Sequence, residues 1–151
     1  MQSRASDDAP LASDLLKNMP DGRIKQFVIW RALAARREHA ALFRDGAYVP
    51  LPTTGTHADH LCAFARMLNG DCAVIVVPRL ACTLLGGDTL LPVGADVWGD
   101  TRIVLSHLPP QNAWTDALTG AEIAVDCADV MVMLASLALR DFPLALLVPK
   151  R

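Results

Sequence analysis

The sequence lacks the signatures of several function classes. None of its four cysteines (Cys62, Cys72, Cys82 and Cys127) belongs to a CxxC pair. No nucleophile elbow GxSxG, Walker loop or GxGxxG turn occurs, so no hydrolase triad or nucleotide cradle is written locally. The apolar stretches are broken within 18 residues by charge, Gly or Pro, which excludes a transmembrane helix. The opening MQSRASDDAPLASD has no apolar secretion core. A cytoplasmic location is expected, with the cysteines as buried thiols rather than disulfides. Net charge is only −2, so neither a nucleic-acid nor a membrane partner is expected.

What is present is apolar. Hydrophobic residues make up 52% of the 151 residues and charged ones 20%, enough for a substantial core. A chain of this length buries roughly 70% of its unfolded surface. The charge is unevenly spread: residues 1–46 carry eight Lys/Arg and six Asp/Glu, the remainder six and ten.

Residues 1–9 read as disordered, and Pro10 to Asn18 as a short helix with Leu11, Leu15 and Leu16 on one side. Pro20 interrupts it, and Asp21 is a candidate N-cap for a longer helix over residues 22–38. At about 100° per residue, Ile24, Val28 and Ala35 share one side of that helix. Phe27, Trp30 and Ala34 share another, and Ile29 with Leu33 a third. Apolar side chains all round predict burial on more than one face. A further turn through Leu42 and Phe43 ends at Arg44-Asp45-Gly46.

After Gly46 the pattern becomes β. Tyr48 to Leu51 contains Pro50, hence an edge strand, and residues 52–59 form a loop. Leu61 to Met67 and Cys72 to Val77 flank Asn69-Gly70, a hairpin signal. CAVIVV is apolar on both faces, as a central strand requires. Gly86-Gly87-Asp88 to Asp100 reads as a long loop. Strands follow at 101–105, 114–118, 122–126, 130–134 and 144–148, with a short helical turn at 135–139. Ile123 and Val125 alternate inward. The class is α+β: N-terminal helices on a mostly antiparallel β-sandwich. It divides into a flexible segment 1–20, a helix 21–46 and a sandwich 47–151.

The chemistry-bearing residues are sparse. His57 and His60 form an HxxH around Asp59; zinc needs a third ligand, and Cys62, nearby in sequence, would crowd the group on a loop entering a strand, so no metal is assigned. Asp96, Asp100 and Asp116 are in turn-like surroundings, where Asp is a turn former by default. Trp98 and Trp114, with Tyr48, are candidates for stacking on sugars.

One ordered set of segments carries more information. Asp21-Gly22-Arg23-Ile24-Lys25 opens the long helix, which continues through Trp30-Arg31-Ala32-Leu33 and Arg36-Arg37-Glu38-His39 to Ala41-Leu42-Phe43-Arg44-Asp45-Gly46-Ala47-Tyr48-Val49-Pro50-Leu51. Ala58-Asp59-His60 leads to Ala63-Phe64-Ala65-Arg66. Val76-Val77-Pro78-Arg79-Leu80, Val97-Trp98-Gly99-Asp100-Thr101-Arg102, the WTDALTG of 114–120 and the DFPLALL of 141–147 complete it. The set resembles the C-terminal part of maltooligosyltrehalose synthases, members of the α-amylase superfamily.

The resemblance implies that residues 21–43 correspond to the last helix of a (β/α)8 barrel and 47–148 to the β-sandwich called domain C. It implies an enzyme that rearranges the reducing-end α-1,4 bond of a maltooligosaccharide into an α,α-1,1 bond, with carboxylates as nucleophile and acid/base. Those carboxylates lie on barrel strands, and no position here matches them. No catalytic residue and no cofactor are therefore assigned. The interface set is Ile24, Phe27, Val28, Trp30 and Leu33, and its expected partner is the barrel or, through residues 21–43, a second copy. The chain is read as an accessory segment, inactive alone. The alternatives are a stand-alone binding module for α-glucans, with maltooligosaccharide as ligand, and a small enzyme of unknown type.

Overall fold

A computed structural model describes residues 5–87, 91–125 and 131–150, with side chains from Pro10 onward. Two helices lead the chain, α1 (Ala5–Lys17) and α2 (Arg23–Glu38), followed by α3 (Ala40–Asp45). Strands β1 (Ala47–Pro50), β2 (Thr53–Thr54), β3 (Leu61–Leu68) and β4 (Asp71–Pro78) come next. Short helices α4 (Ala81–Leu84) and α5 (Ala95–Trp98) precede β5 (Arg102–Val104), β6 (Ala113–Asp116), β7 (Glu122–Ala124) and β8 (Val132–Leu134). α6 (Ala135–Ala138) and β9 (Ala145–Pro149) end the described chain.

The strands form two antiparallel sheets. The larger has six strands in the order β1-β3-β4-β9-β6-β7, and the smaller three in the order β2-β5-β8. Between them Ala63, Ala65, Cys72, Val74, Val76, Trp114 and Leu147 of the large sheet meet Ile103 and Met133 of the small one. Trp98, Leu105 and Leu139 close the same cluster. The opposite face of the large sheet carries Ile75 and Leu146, which pack with Phe27, Ala35 and Leu15 of the helices. The architecture is therefore three layers: helices, large sheet, small sheet. It is the α+β sandwich expected, of the α-amylase domain C type.

Local chemistry explains the order of elements. Asn69 and Gly70 take positive φ of 51° and 87°, the pair a two-residue hairpin needs, and β3 pairs with β4 along its whole length from Leu61↔Pro78 to Leu68↔Asp71. β1, with its proline, is an edge strand, and β4 lies inside the sheet. Gly55 has φ of 100°, and a Cβ there would meet the Asp100 carbonyl and the Thr101 Cα at 2.8 Å. That close approach, with the Thr56 amide donating to Asp100 at 3.0 Å, holds the 53–60 loop against the strand that follows α5.

Several expectations need correction. Residues 5–9 belong to α1, and Pro10 lies inside that helix instead of opening it, where it can donate no hydrogen bond to the preceding turn. Residues 1–4 of the segment read as disordered fall outside the described residues. The long loop after Gly86 contains α5, whose Trp98 indole donates to the Pro92 carbonyl at 2.9 Å; Asp88 lies outside the described residues. A two-residue strand, β2, forms within the loop predicted at 52–59. Cys72 is a buried thiol, but Cys62 and Cys82 are exposed. Cys127 and strand ends Asp126 and Val130 fall outside the described residues.

Candidate functional site

α2 has two faces of different fate. Phe27 and Ala35 are buried against the sheet, and Ile24, Val28 and Ala32 are half-buried in the same cluster. The Phe27 ring lies 6.2 Å from that of Phe142 in an edge contact. Arg31 is on this side too: its Nε donates to the Ala117 carbonyl at 2.8 Å and anchors the helix to the 116–121 turn. Leu33, nine residues after Ile24, falls on the opposite side of the axis at about 100° per residue. There Ile29, Trp30 and Leu33 are 54%, 55% and 52% exposed. Three large apolar side chains within two turns, all more than half open to solvent, form a stripe of the kind that marks an interaction surface.

The predicted interface set therefore divides. Ile24, Phe27 and Val28 are committed to the chain's own sheet, whereas Trp30 and Leu33 face outward. The reading of the sequence missed that Ile29 completes the outward stripe, because burial of one face cannot be told from burial of another by periodicity alone. Recesses flank the stripe on both sides. One of about 380 Å³ is lined by Leu11, Leu15, Arg23, Gln26, Phe27 and Trp30. Another, about 340 Å³ and almost wholly apolar, lies between Val28, Ala32, Leu33 and Phe43 on the helices and Ile75 and Leu144 on the sheet side.

The other candidates do not assemble into a reactive centre. Trp98 and Trp114 have zero exposure, so neither ring offers a face to a sugar, and the expectation of sugar contact at these two positions is corrected. Both rings belong to the core cluster between the two sheets. The His57 and His60 rings approach edge to face at 6.1 Å, and among the described residues no group of three His, Cys, Asp or Glu could hold a metal.

Of the three candidate carboxylates Asp96 is exposed in the first turn of α5, and the other two are held locally. Asp100 accepts from the Thr56 amide, which holds its carboxyl below the usual range. Asp116 is buried and accepts from the Leu118 and Leu146 amides, both at 3.1 Å, and from the Thr119 hydroxyl at 2.7 Å. Burial pushes its carboxyl up, and these donors pull it part of the way back. A cavity of about 460 Å³ beside α1 is lined by a single carboxylate, Asp141, and that group is paired with Arg140 at 2.7 Å. Asp116 and Asp141 do line one common cavity, but it is about 10 Å³, with no room for a sugar ring.

Comparison with known proteins finds similarity to one kind of enzyme. Two Mycobacterium tuberculosis proteins, from strains CDC 1551 / Oshkosh and ATCC 25618 / H37Rv, each named "Putative maltooligosyl trehalose synthase", are 38% identical to the chain over 96 residues. The match takes in 62% of this chain and 10% of each relative. The chain is a partial homologue of maltooligosyl trehalose synthase. It thus spans about a tenth of the length of the curated relatives it matches. Among solved structures, a point mutant of maltooligosyltrehalose synthase from Arthrobacter ramosus superposes with a TM-score of 0.61 at 29% identity. That superposition covers 93% of this chain and 17% of the other. No protein-family model matches. Among the described residues, no helix is long and apolar enough to cross a membrane.

Proposed function

We propose that this chain is the C-terminal accessory segment of a maltooligosyltrehalose synthase, acting in trehalose formation from maltooligosaccharides without contributing catalytic groups. In this reading α2 stands where the last barrel helix does, and residues 47–148 are domain C. The observation that carries it is the division of α2 into a sheet-packed face and an outward apolar one. Such a helix is built to lie between two bodies, and this chain supplies one of them. The proposed partner is the catalytic barrel, which holds the reacting carboxylates. A stand-alone α-glucan module is less well supported, since Trp98 and Trp114 are internal and Tyr48 is the one exposed ring among the three stacking candidates.

Two measurements test the proposal. The purified chain, incubated with maltohexaose, is expected to give no trehalose-terminated product by NMR; turnover would refute the non-catalytic reading. In a second experiment the chain replaces the matching segment of a Mycobacterium tuberculosis relative. Trehalose-forming activity of that graft is expected to survive, and to fall when Ile29, Trp30 and Leu33 are all changed to Ser. A triple variant with undiminished activity and thermal stability would remove the proposed role of the helix.

A further inference from the structure

The outward face of α2 combines an apolar stripe with cations along one edge and at its C-terminal end. At about 100° per residue, Lys25 and Arg36 flank Ile29 on one side, and Arg37 lies between Leu33 and Trp30 on the other. All three cations are exposed, and no ion pair engages them among the described residues. The neighbouring cations are different: Arg23 is neutralised by Asp21 at 2.6 Å and Asp14 at 3.4 Å, and Arg44 by Asp45 at 2.7 Å. The helix has one carboxylate, Glu38. It lies nine residues after Ile29, on the opposite side of the axis. The outward face thus presents positive charge with no acid of its own.

Resting on the reading of α2 as an inter-body helix, we propose that the surface covering it is a protein face with protruding apolar side chains and a rim of carboxylates. Charge complementarity selects the acid: a covering surface that left three cations facing like charge or apolar groups would desolvate them unpaired. The same argument disfavours a second copy of this chain: α2 faces packed antiparallel about a two-fold axis bring Lys25 of one copy toward Arg36 and Arg37 of the other, with no carboxylate of α2 between them. Shape selects a protein over an anionic bilayer. The stripe is a ridge between recesses of about 380 and 340 Å³, and side chains standing out from a folded surface fill both, whereas a headgroup plane meets only the ridge.

The chain has a built-in reporter. Trp30 is 55% exposed, whereas Trp98 and Trp114 have no exposure, so quenching of tryptophan emission by neutral acrylamide reads Trp30. The probes are two tryptophan-free helical peptides of 18 residues, one with a leucine stripe flanked by Glu, the other with the same stripe flanked by Lys. The Glu peptide is expected to shield Trp30 with an affinity at least about tenfold above that of the Lys peptide, and to lose that advantage as salt is raised. Changing Lys25, Arg36 and Arg37 together to Glu is expected to reverse the preference.

Equal binding of the two peptides, or binding of neither, overturns the proposal. So does shielding of Trp30 by phosphatidylglycerol vesicles but not by the Glu peptide, which would assign the face to a lipid surface. Shielding that grows with the concentration of the chain alone also overturns it, in favour of self-association. None of these results alters the graft experiment, so the acidic character of the cover and the synthase assignment fail separately.

Discussion

Replacing Asp116 by Ala is the sharpest test of how the large sheet is finished. The Ala117 amide donates to the Leu146 carbonyl at 2.7 Å. The return bond that an antiparallel ladder would make, from the Leu146 amide to the Ala117 carbonyl, is replaced: that amide donates to the Asp116 carboxylate, and the Ala117 carbonyl receives Arg31. One side chain thus satisfies the Leu146 amide, the Leu118 amide and the Thr119 hydroxyl. Alanine orphans two amides on buried residues, at about 1–3 kcal/mol each. The loss is offset in part because a buried carboxylate no longer has to be desolvated. The expected net cost is about 3 kcal/mol. Asn keeps an oxygen for both amides and can donate to the Thr119 hydroxyl, so Asp116→Asn should cost only about 1 kcal/mol. Urea titration followed by circular dichroism measures both. Equal losses for Ala and Asn would refute the reasoning.

The pH dependence provides a second arm. Burial raises the Asp116 carboxyl in the folded chain above its ordinary 3.8, so between the two values the folded state binds more protons than the unfolded one. Stability from this group therefore falls as pH rises through the folded value and is level above it. The advantage of the parent chain over Asp116→Asn should be largest in acid and shrink toward neutrality.

Two further outcomes concern single side chains. Burial pushes the Cys72 thiol up to about 11, so iodoacetamide at neutral pH should label exposed Cys62 and Cys82 and leave Cys72 unmodified until urea is added, as peptide mass mapping would show; early labelling of Cys72 would contradict its placement. Trp98→Phe removes the donor to the buried Pro92 carbonyl as well as volume, while the Trp114 indole nitrogen has no partner among the described residues. Trp98→Phe should therefore cost about 1 kcal/mol more than Trp114→Phe in the same urea assay.

Most of the architecture is legible from local signals. Asn69-Gly70 announces the hairpin, CAVIVV an inner strand, Pro50 an edge, and the alternation of Ile123 and Val125 a half-buried strand. What the sequence leaves open is non-local. The GRIKQFVIWRALAARRE helix is apolar all round, and which side meets the sheet depends on Phe142 and Leu146, more than a hundred residues away. Trp98 and Trp114 look the same as exposed stacking rings until the strands on either side are in place. Cys62 and Cys72 belong to adjacent strands, yet Cys72 points into the sandwich and Cys62 to the open side.

The two sheets differ in how far the chain must travel to make them. β3 and β4 are joined across two residues, whereas β2, β5 and β8 come from positions 53–54, 102–104 and 132–134. Closing the small sheet requires ordering dozens of intervening residues before the first of its bonds forms, and loop entropy opposes each closure. Assembly should thus begin at the Asn69-Gly70 hairpin and finish at the small sheet. Amide exchange should be slowest along β4 and fastest in β2, and the reverse ranking would contradict this order.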